Sequence, residues 1–477
     1  MSHSRRWGLL FSAFATLGAV HMPSAASWAK PYRLSELLDM ARQGNPGVAA
    51  AAQATAGVEA QLEEAERMKW PSGELTSVLA PMTEVKCSTG DEALDSLGKD
   101  YRLDHCWNTN FSFESDQMFK AITNIKGVFT RTEFKLVQPI YTFGKLAAGE
   151  AAATQGVEAS RGREAGAVAD VEQKVRKAYW GAKLARELQS TLKEGLDYLD
   201  EAQKKIEEEL AEGSGDASVT DRLRLRAVRA EVEARMLEAQ RGADLARAGL
   251  RTLIGANAPA DLDVDDGELE ALSIPSRPLA HYTQAAVSYR PEVQALEHLA
   301  ATKRALADLE WRRQYPDLAM VFTARYAYAN SVDHPNNAFF DNPYNSAGAG
   351  IAALLRMPLD LGPKNARAHR FAAEASEADL KRQEALDGIA FEVEKTYSEL
   401  QESARRIKTV QKGEKASRQW IAAIMQNMAV GVAEAKDFSD ALLAFFQARV
   451  RYLQSIYDFN VAVADLSRAT GTDVSAP

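Results

Sequence analysis

The sequence of 477 residues is poor in the residue patterns on which most enzymes and nucleic-acid-binding proteins depend. Its seven histidines include no pair at i,i+4 spacing, and no HExxH, GxSxG or P-loop motif occurs. Acidic residues outnumber basic ones, 66 against 57, whereas a nucleic-acid partner requires a basic face. These absences predict a protein that is not an enzyme, needs no cofactor or metal and binds no nucleic acid.

Long apolar runs are also missing, and the N-terminus has the pattern of an export signal. No stretch of about 18 apolar residues is present, so no membrane-spanning helix is predicted. Arg5 and Arg6 precede the apolar segment WGLLFSAFATLGAV, which is followed by Pro23 and two small-residue cleavage sites. We assign residues 1–29 to a secretory signal peptide. No cysteine follows the cleavage sites closely, which argues against a lipoprotein anchor.

Cysteine is scarce, with only two residues in the chain, Cys87 and Cys106. Both lie in one polar stretch of what is predicted to be an exported protein. A lone pair of this kind predicts a disulfide between Cys87 and Cys106. The alternative, two free thiols, stays open.

What the sequence does contain is an internal duplication. Two proline-bearing pairs recur 245 residues further on, and three residues near the ends of long helical stretches recur at 216. The recurring positions are Asn45-Pro46 and Arg290-Pro291, Trp70-Pro71 and Tyr315-Pro316, Gly215 and Gly431, Asp221 and Asp437, Gly255 and Gly471. We divide the mature chain into a first repeat (31–256), a linker (257–285) and a second repeat (286–474). The first repeat carries the extra residues, in the segment with both cysteines.

Each repeat predicts a helix, a β-hairpin, a very long helix and a return helix, in that order. The hairpin segments, 72–143 and 316–362, alternate with period two. The long helices are predicted over 145–212 and 364–429, and the return helices over 217–255 and 436–470. Apolar residues in the long helices follow 3,4 steps, which is typical of a coiled coil. A helix over 145–212 would be about 100 Å long.

Two strands per repeat raise a problem of closure. Their length and alternation are typical of membrane-spanning β-hairpins. Four strands cannot close a barrel, and an open edge in lipid leaves backbone groups unpaired at a cost of several kcal/mol each. If these strands meet lipid, the chain must therefore oligomerise.

Two other classes of protein fit parts of the pattern. A periplasmic coiled-coil adaptor or scaffold would use the strands as a soluble β-domain. A secreted enzyme with helical hairpins is a third interpretation, which the missing catalytic motifs disfavour. Neither explains why signal peptide, hairpins and long helices are combined in a duplicated chain.

Several motifs resemble those of the TolC-type outer-membrane efflux channels. They are QPIY…GK at the end of the first hairpin, YRPEV at the start of the second repeat, the G-x5-D turns and YDFNVAVADLSRATG near the C-terminus. The similarity spans about residues 31–474. It implies a mixed α+β membrane protein: a homotrimer with a twelve-stranded β-barrel in the outer membrane, continued by a long periplasmic α-helical barrel.

The resemblance also implies function and partners. Such a chain is a passive exit duct of a tripartite efflux pump or a type I secretion system. Its partners would be a periplasmic adaptor, an inner-membrane transporter and outer-membrane lipid. The transported substrate does not follow from the resemblance.

Site residues are implied in three groups. Barrel joints are expected at Pro71, Pro139, Gly144, Pro316, Pro358 and Gly362, with prolines ending the strand ladder and glycines permitting the bend. Adaptor-docking tips are expected at Gly215, Asp221, Val430, Gly431 and Asp437. The gate acids depart from the family pattern: acidic rings can lie on the second rod, but no acid lies between Glu414 and Glu434 here, and the first rod ends in acids instead. The candidate gate acids are therefore Glu208, Glu212 and Asp216, which threefold symmetry would turn into rings. The alternative for these acids is a solvated helix face.

One acidic segment, Asp261–Glu270, approaches the pattern of a calcium loop. Gly267 lies one position late, and Leu272 occupies the place of the bidentate acid. The sequence therefore favours a solvated linker over a calcium site.

Overall fold

The computed structural model describes residues 31–82, 85–88, 105–108, 127–212, 218–332, 342, 344–429 and 432–475. The predicted signal peptide, most of the cysteine-bearing loop and the hairpin tips at 213–217 and 430–431 lie outside these residues. None of the described helices combines the length and the apolar character needed to cross a membrane.

The first repeat contains strands and helices in the order expected from its periodicity. They are β1 (Pro31–Tyr32), α1 (Leu34–Gly44), α2 (Pro46–Arg67), β2 (Ser72–Met82), β3 (Val85–Ser88), β4 (His105–Asn108), β5 (Gly127–Tyr141), α3 (Lys145–Glu212) and α4 (Val219–Ile254). The helical spacing from about Leu34 to Met68 belongs to two helices, α1 and α2, separated at Asn45. Asn45 is extended (φ −71°, ψ 123°) because Pro46 follows it.

The linker and the second repeat follow the same order. They contain β6 (Asp263–Val264), α5 (Leu279–Tyr289), α6 (Pro291–Arg312), β7 (Asp317–Ala329), β8 (Ser346–Arg356), α7 (Leu361–Ala429) and α8 (Ala435–Thr470). Arg290 and Pro291 repeat the break at Asn45 and Pro46, since Arg290 is also extended (φ −70°, ψ 123°). The two halves of the chain are copies of one unit.

The main sheet has four strands in the order β2-β5-β7-β8, and every neighbouring pair is antiparallel. A separate two-stranded sheet joins β3 to β4 and places Cys87 directly opposite Cys106. Opposite residues of an antiparallel pair have Cα atoms about 4.5–5.5 Å apart, which suits a disulfide. The disulfide itself stays a prediction.

The chain divides into two compact units, and each takes segments from both repeats. The first consists of the N-terminal residues up to Pro46, Val171–Leu272 and Gln401–Ala464. Its core is formed by the facing sides of α3, α4, α7 and α8, with Leu199, Leu225 and Leu442 almost fully buried. Such a seam between long helices is what the 3,4 spacing predicts.

The second unit consists of Gly47–Asp170, Ser273–Leu400 and Asp465–Pro477, and it contains the main sheet. In this unit α3 and α6 lie close together. A Cβ on Gly162 of α3 would lie 2.8 Å from the Cβ of Ala295 of α6. A small apolar cluster of Ala329 and Val332, with Phe129 and Tyr344 against it, lies beside one end of the sheet.

In each repeat a glycine directly after the return helix lies against the backbone at the end of a short helix. Gly255 has φ +87°, and a Cβ there would lie 2.3 Å from the carbonyl oxygen of Gly44. Beside it, Asn45 Nδ2 donates to the carbonyl of Leu253 at 2.6 Å. Only glycine combines this backbone conformation with so close an approach.

The second repeat has the same contact. Gly471 has φ +71°, and a Cβ there would lie 2.6 Å from the carbonyl oxygen of Tyr289. Arg290 Nη1 donates to the carbonyl of Ala469 at 3.4 Å. The duplication is thus preserved at the level of single contacts.

We expect Gly255→Ala to destabilise the protein by about 1–3 kcal/mol, because alanine is strained at this φ and its Cβ overlaps a carbonyl oxygen. The control is Gly249→Ala inside α4, the helix that Gly255 caps, where a Cβ meets no atom within 4 Å. Alanine there should be neutral or stabilise by up to about 1 kcal/mol. Thermal unfolding followed by circular dichroism measures both, and equal midpoints for the two variants would contradict the assignment.

Candidate functional site

The two faces of the main sheet differ sharply in polarity. The register places Leu75 opposite Phe134, and Phe322 opposite Ile351, on the same face. Leu75, Leu79, Ile351 and Leu355 on this face are 68%, 76%, 72% and 67% exposed. An apolar, exposed sheet face of this kind is typical of strands that meet lipid.

The other face is polar and carries charges in complementary positions. Glu74 lies opposite Lys135, and Glu133 lies opposite Arg325. Directly opposed residues of unlike charge stabilise an antiparallel pair. A sheet that is apolar on one side and charged on the other fits between lipid and an aqueous interior.

The passage from β5 to α3 is a sharp turn made by two residues with positive φ. Phe143 has φ +52° and Gly144 has φ +81°. Lys145 Nζ donates to the carbonyl of Tyr315 at 2.8 Å and to Asp317 Oδ1 at 2.7 Å, directly before and within β7. The joint of the first repeat is thereby fixed to that of the second.

Four of the predicted joint prolines and glycines lie between elements. Pro71 and Pro316 immediately precede β2 and β7, Gly144 forms the turn before α3, and Pro358 lies between β8 and α7.

The other two predicted joint residues behave differently from expectation. Pro139 does not end the ladder: it is paired with Ala319 inside β5, and the strand continues through a bulge to Tyr141. The bulge accommodates the missing donor of the proline. Gly362 does not provide a bend with positive φ but lies in the first turn of α7, which begins at Leu361.

At the helical tips, the aspartate of each G-x5-D turn caps the return helix. The Ser218 hydroxyl accepts from the amide of Asp221 at 3.2 Å, and the Asp221 carboxylate accepts from the amide of Ser218 at 3.1 Å. In the second repeat Asp437 accepts from the amide of Glu434 at 3.4 Å. Gly215, Val430 and Gly431 lie outside the described residues.

The candidate gate acids fall near the end of α3. Glu208 is exposed and 3.9 Å from Lys204 one turn earlier, and Glu212 is exposed as well. Asp216 lies outside the described residues. Glu207, directly before Glu208, accepts from Gln203 Nε2 at 2.8 Å and borders an open groove of about 330 Å³ shared with Arg226 and Arg229 of α4. The neighbouring acids of this run therefore point in different directions.

The acidic linker is held against α3 by ion pairs. Asp265 accepts from the Tyr179 hydroxyl at 2.5 Å and from Lys183 Nζ at 3.1 Å. Arg186 lies 2.8 Å from Asp263 and 2.7 Å from Asp266. The carboxylates are neutralised by the protein, and in the part of the chain that is described no group of three or more His, Cys, Asp or Glu could hold a metal.

These contacts change the acidity of the buried groups. Burial disfavours the ionised carboxylate of Asp265, but the hydrogen bonds from Tyr179 and Lys183 outweigh it and hold its pKa below the ordinary value. Burial and the bond to Asp265 raise the pKa of the Tyr179 hydroxyl. Asp265 is therefore ionised and Tyr179 neutral at any physiological pH.

These ion pairs and hydrogen bonds between the linker and α3 were not predicted from the sequence. The available signal was weak: Tyr179, Lys183 and Arg186 share one helix face at 4,3 spacing, and the linker holds an excess of acids. The partners are about 80 residues apart, so no local pattern joins them.

We expect Asp265→Asn to destabilise the protein by about 1–2 kcal/mol at pH 7, because it leaves the Lys183 side chain, only 6% exposed, without its carboxylate. The pKa of Asp265 is lower in the folded than in the unfolded protein. The stabilisation by its carboxylate is therefore complete above the unfolded-state pKa, near 3.8, and is lost as pH falls below that value. Thermal midpoints from pH 7 to 3 should converge for variant and wild type. Asp266→Asn, at a side chain 86% exposed, is the control and should change the thermal midpoint little. A difference in midpoint between Asp265→Asn and wild type that stays constant down to pH 3 would contradict the ionic role of Asp265.

Comparison with known proteins agrees with this geometry. Residues 283–472 match the model of the outer membrane efflux protein family. The chain is 27% identical over 339 residues to the cobalt-zinc-cadmium resistance protein CzcC of Cupriavidus metallidurans, covering 70% of this chain and 75% of that protein.

Solved structures share the fold at lower identity. The CmeC outer membrane channel of Campylobacter jejuni superposes with a TM-score of 0.70 at 14% identity, covering 97% of this chain and 95% of that one. The open state of the MtrE outer membrane channel of Neisseria gonorrhoeae gives 0.70 at 17% identity, covering 93% and 89%. The duplicated order of hairpins and long helices is therefore the fold of TolC-type channels. The second repeat is thus similar to outer membrane efflux proteins, and the chain has the fold of outer-membrane channels.

Proposed function

We propose that three copies of the chain form one duct, with a twelve-stranded barrel in the outer membrane and a twelve-helix tunnel in the periplasm. The observation that carries this proposal is the open four-stranded sheet with one exposed apolar face, whose outer strands are β2 and β8. Strand directions alternate across the sheet, so β8 of one copy can pair antiparallel with β2 of the next. Lipid offers no other partner for these backbone edges.

The duct is proposed to act as the passive exit of a tripartite efflux pump, joined to an inner-membrane transporter by a periplasmic adaptor. A type I secretion system would use the same duct, and we favour efflux because the relative and the family model carry efflux or resistance names. The adaptor would dock at the helical tips, the periplasmic ends of α3 and α7.

Divalent metal cations are the cargo that we propose. The similar CzcC protein is named for cobalt, zinc and cadmium resistance. The chain itself is acidic, with a formal net charge of −9, and the end of α3 is rich in glutamate. An acidic passage favours cations over anions.

A periplasmic adaptor with a soluble β-domain is the competing function. A soluble sheet buries its apolar face, whereas Leu79 and Ile351 on the apolar face of this sheet are among the most exposed large side chains. An exposed apolar face of this extent suits lipid and not periplasmic water.

Native mass measurement of the detergent-solubilised protein tests the assembly. We expect three chains, and a stable monomer or dimer would overturn the trimer. Deletion of the gene and complementation test the cargo: loss should lower tolerance to cobalt, zinc and cadmium together. If tolerance to organic toxic compounds falls instead, the duct stands and the metal assignment does not.

Docking at the second tip predicts that Gly431→Arg abolishes transport while the trimer and the barrel stay intact, because a bulky charge blocks close approach of the adaptor. Gly215→Arg is the matched variant at the first tip, where Ser214 replaces the valine found at Val430. We expect a smaller loss there. Export measured in cells, with trimer content measured in parallel, decides the point, and unchanged export by Gly431→Arg would exclude the site.

The gate hypothesis predicts that replacing Glu208, Glu212 and Asp216 by alanine lowers cation selectivity and relieves divalent-ion block, because three copies form rings of negative charge. Glu207→Ala is the control, since Glu207 borders the groove toward α4. Single-channel recording in bilayers measures both effects. Currents equal to those of the wild type would place the three side chains outside the lumen.

A further inference from the structure

The charged face of the main sheet has its charges in one zone. Residues opposite one another in neighbouring strands form rows across the sheet, and three successive rows of this face carry charge. They contain Glu74 with Lys135, Glu133 with Arg325, and Arg131. Since every second residue of a strand lies on the same face, the distance along β5 from Lys135 to Arg131 is about 14 Å. We call these five residues the charged belt.

Uncharged rows border the charged belt on both sides. One consists of Ala80, Phe129 and Ala329, and the other of Ser72, Val137, Val321 and Ala352. The next charges of this face in the described strands are Asp317 and Arg356, which lie opposite each other at the end of the sheet next to the helices. The charged belt is therefore a separate feature of the sheet and not part of a uniformly polar surface.

The charged belt is net positive. It contains three bases and two acids, so each chain contributes one excess positive charge. Glu133 lies 3.7 Å from Arg131 and opposite Arg325, and Glu74 lies opposite Lys135. Every acid of the belt thus has a base beside it, and the excess is basic.

All five side chains are accessible to solvent in the single chain. Arg131 is 43% and Glu133 49% exposed, and Glu74, Lys135 and Arg325 are exposed as well. Their charges therefore act on ions in the adjoining water and not only on one another.

Small residues of β8 leave the space beside the charged belt open. Gly348 lies opposite Arg325, and Gly350 lies opposite Thr323. Among the described residues, a Cβ added to Gly348 would meet no atom within 4 Å, and one added to Gly350 would meet Thr323 Oγ1 at 3.9 Å. Ions in the water can thus approach the belt along β8.

We propose that the charged belt determines ion selectivity inside the barrel by enriching small anions and repelling small cations. The proposal rests on the closed trimer proposed above, in which the charged faces of three sheets surround one lumen. The three belts then form a ring with three excess positive charges. Basic rings favour anions, and low-dielectric walls concentrate their field in the water of the pore.

The charged belt has the opposite sign to the glutamate-rich end of α3. With a metal cation as cargo, the pump drives the cation outward past the belt, whereas nothing drives external cations inward. The ring is a barrier in both directions, but only export is driven across it. It therefore reduces the return of free cations through a duct that is not pumping.

Charged thiol reagents measure the local potential beside the belt. In the full-length protein with Cys87 and Cys106 replaced by serine, Gly348→Cys places a thiol in the row of Glu133 and Arg325. The protein is reconstituted in liposomes and treated with a cationic (trimethylammonium) or an anionic (sulfonate) ethyl methanethiosulfonate. Both reagents react with the same thiol, so the ratio of their rates reports the local field and not the reactivity of the thiol.

We expect the rate ratio of the anionic to the cationic reagent to exceed that of 2-mercaptoethanol by about threefold or more in 10 mM salt, where the Debye length is about 30 Å. In 1 M salt, where the Debye length is about 3 Å, the ratio should approach that of the free thiol. This dependence on salt distinguishes the charge of the belt from steric access.

Ala349→Cys is the matched control for the orientation of the sheet. Ala349 directly follows Gly348 and lies opposite Ala324, on the apolar face. In liposomes we expect lipid to protect this thiol from both reagents.

Charge substitutions in the Gly348→Cys background test the belt itself. Lys135→Gln and Arg325→Gln should each lower the rate ratio at low salt by about twofold, and Glu133→Gln should raise it by a similar factor. Lys135→Arg keeps the charge and should leave the ratio unchanged.

The outcomes separate the belt from the assembly. Equal reactivity of the Gly348→Cys and Ala349→Cys variants would show that the apolar face does not meet lipid, which would refute the proposed function together with the belt. Reactivity of Gly348→Cys alone, with the rate ratio of the free thiol at low salt, would refute the belt and leave the duct intact. A ratio below that of the free thiol, or one that Lys135→Gln and Lys135→Arg change alike, would also overturn the proposal.

Discussion

The structure depends on one constraint: in hydrocarbon every backbone N–H and C=O must find a partner within the protein. A sheet of four strands with one lipid-compatible face cannot meet this constraint alone, so its outer strands must pair with other copies. A ring of sheets then requires a ring of helices, because each hairpin continues into a long helix. In such a ring every helix needs a neighbour on two sides. Within the described residues α8 lies between α3 and α7 and buries Phe438, Phe446 and Leu453, while the buried side chains of α4 follow one face.

The architecture was predictable from the sequence because it depends on periodic features. Period two in the hairpins, 3,4 steps in the rods and the recurrence of Asn45-Pro46 as Arg290-Pro291 each extend over many residues. The features that were not predicted depend on single contacts between residues that are far apart in the sequence. No periodic pattern indicates the bonds of Asp265 to Tyr179 and Lys183. None indicates the contact of Gly255 with Gly44 either. Proline positions were informative about joints, but Pro139 shows that a β-bulge can carry a strand past a missing donor.

The tips show how a motif can combine structural and binding roles. Asp221 and Asp437 are explained by capping of the return helices, which holds with or without a partner. For an adaptor that docks at the tips as proposed, recognition then falls to the other residues of the turn, the glycine and the residue before it. In sequence the two turns share the glycine and the aspartate and differ in the residue before the glycine, Ser214 in one and Val430 in the other. An adaptor that requires an apolar contact would distinguish them.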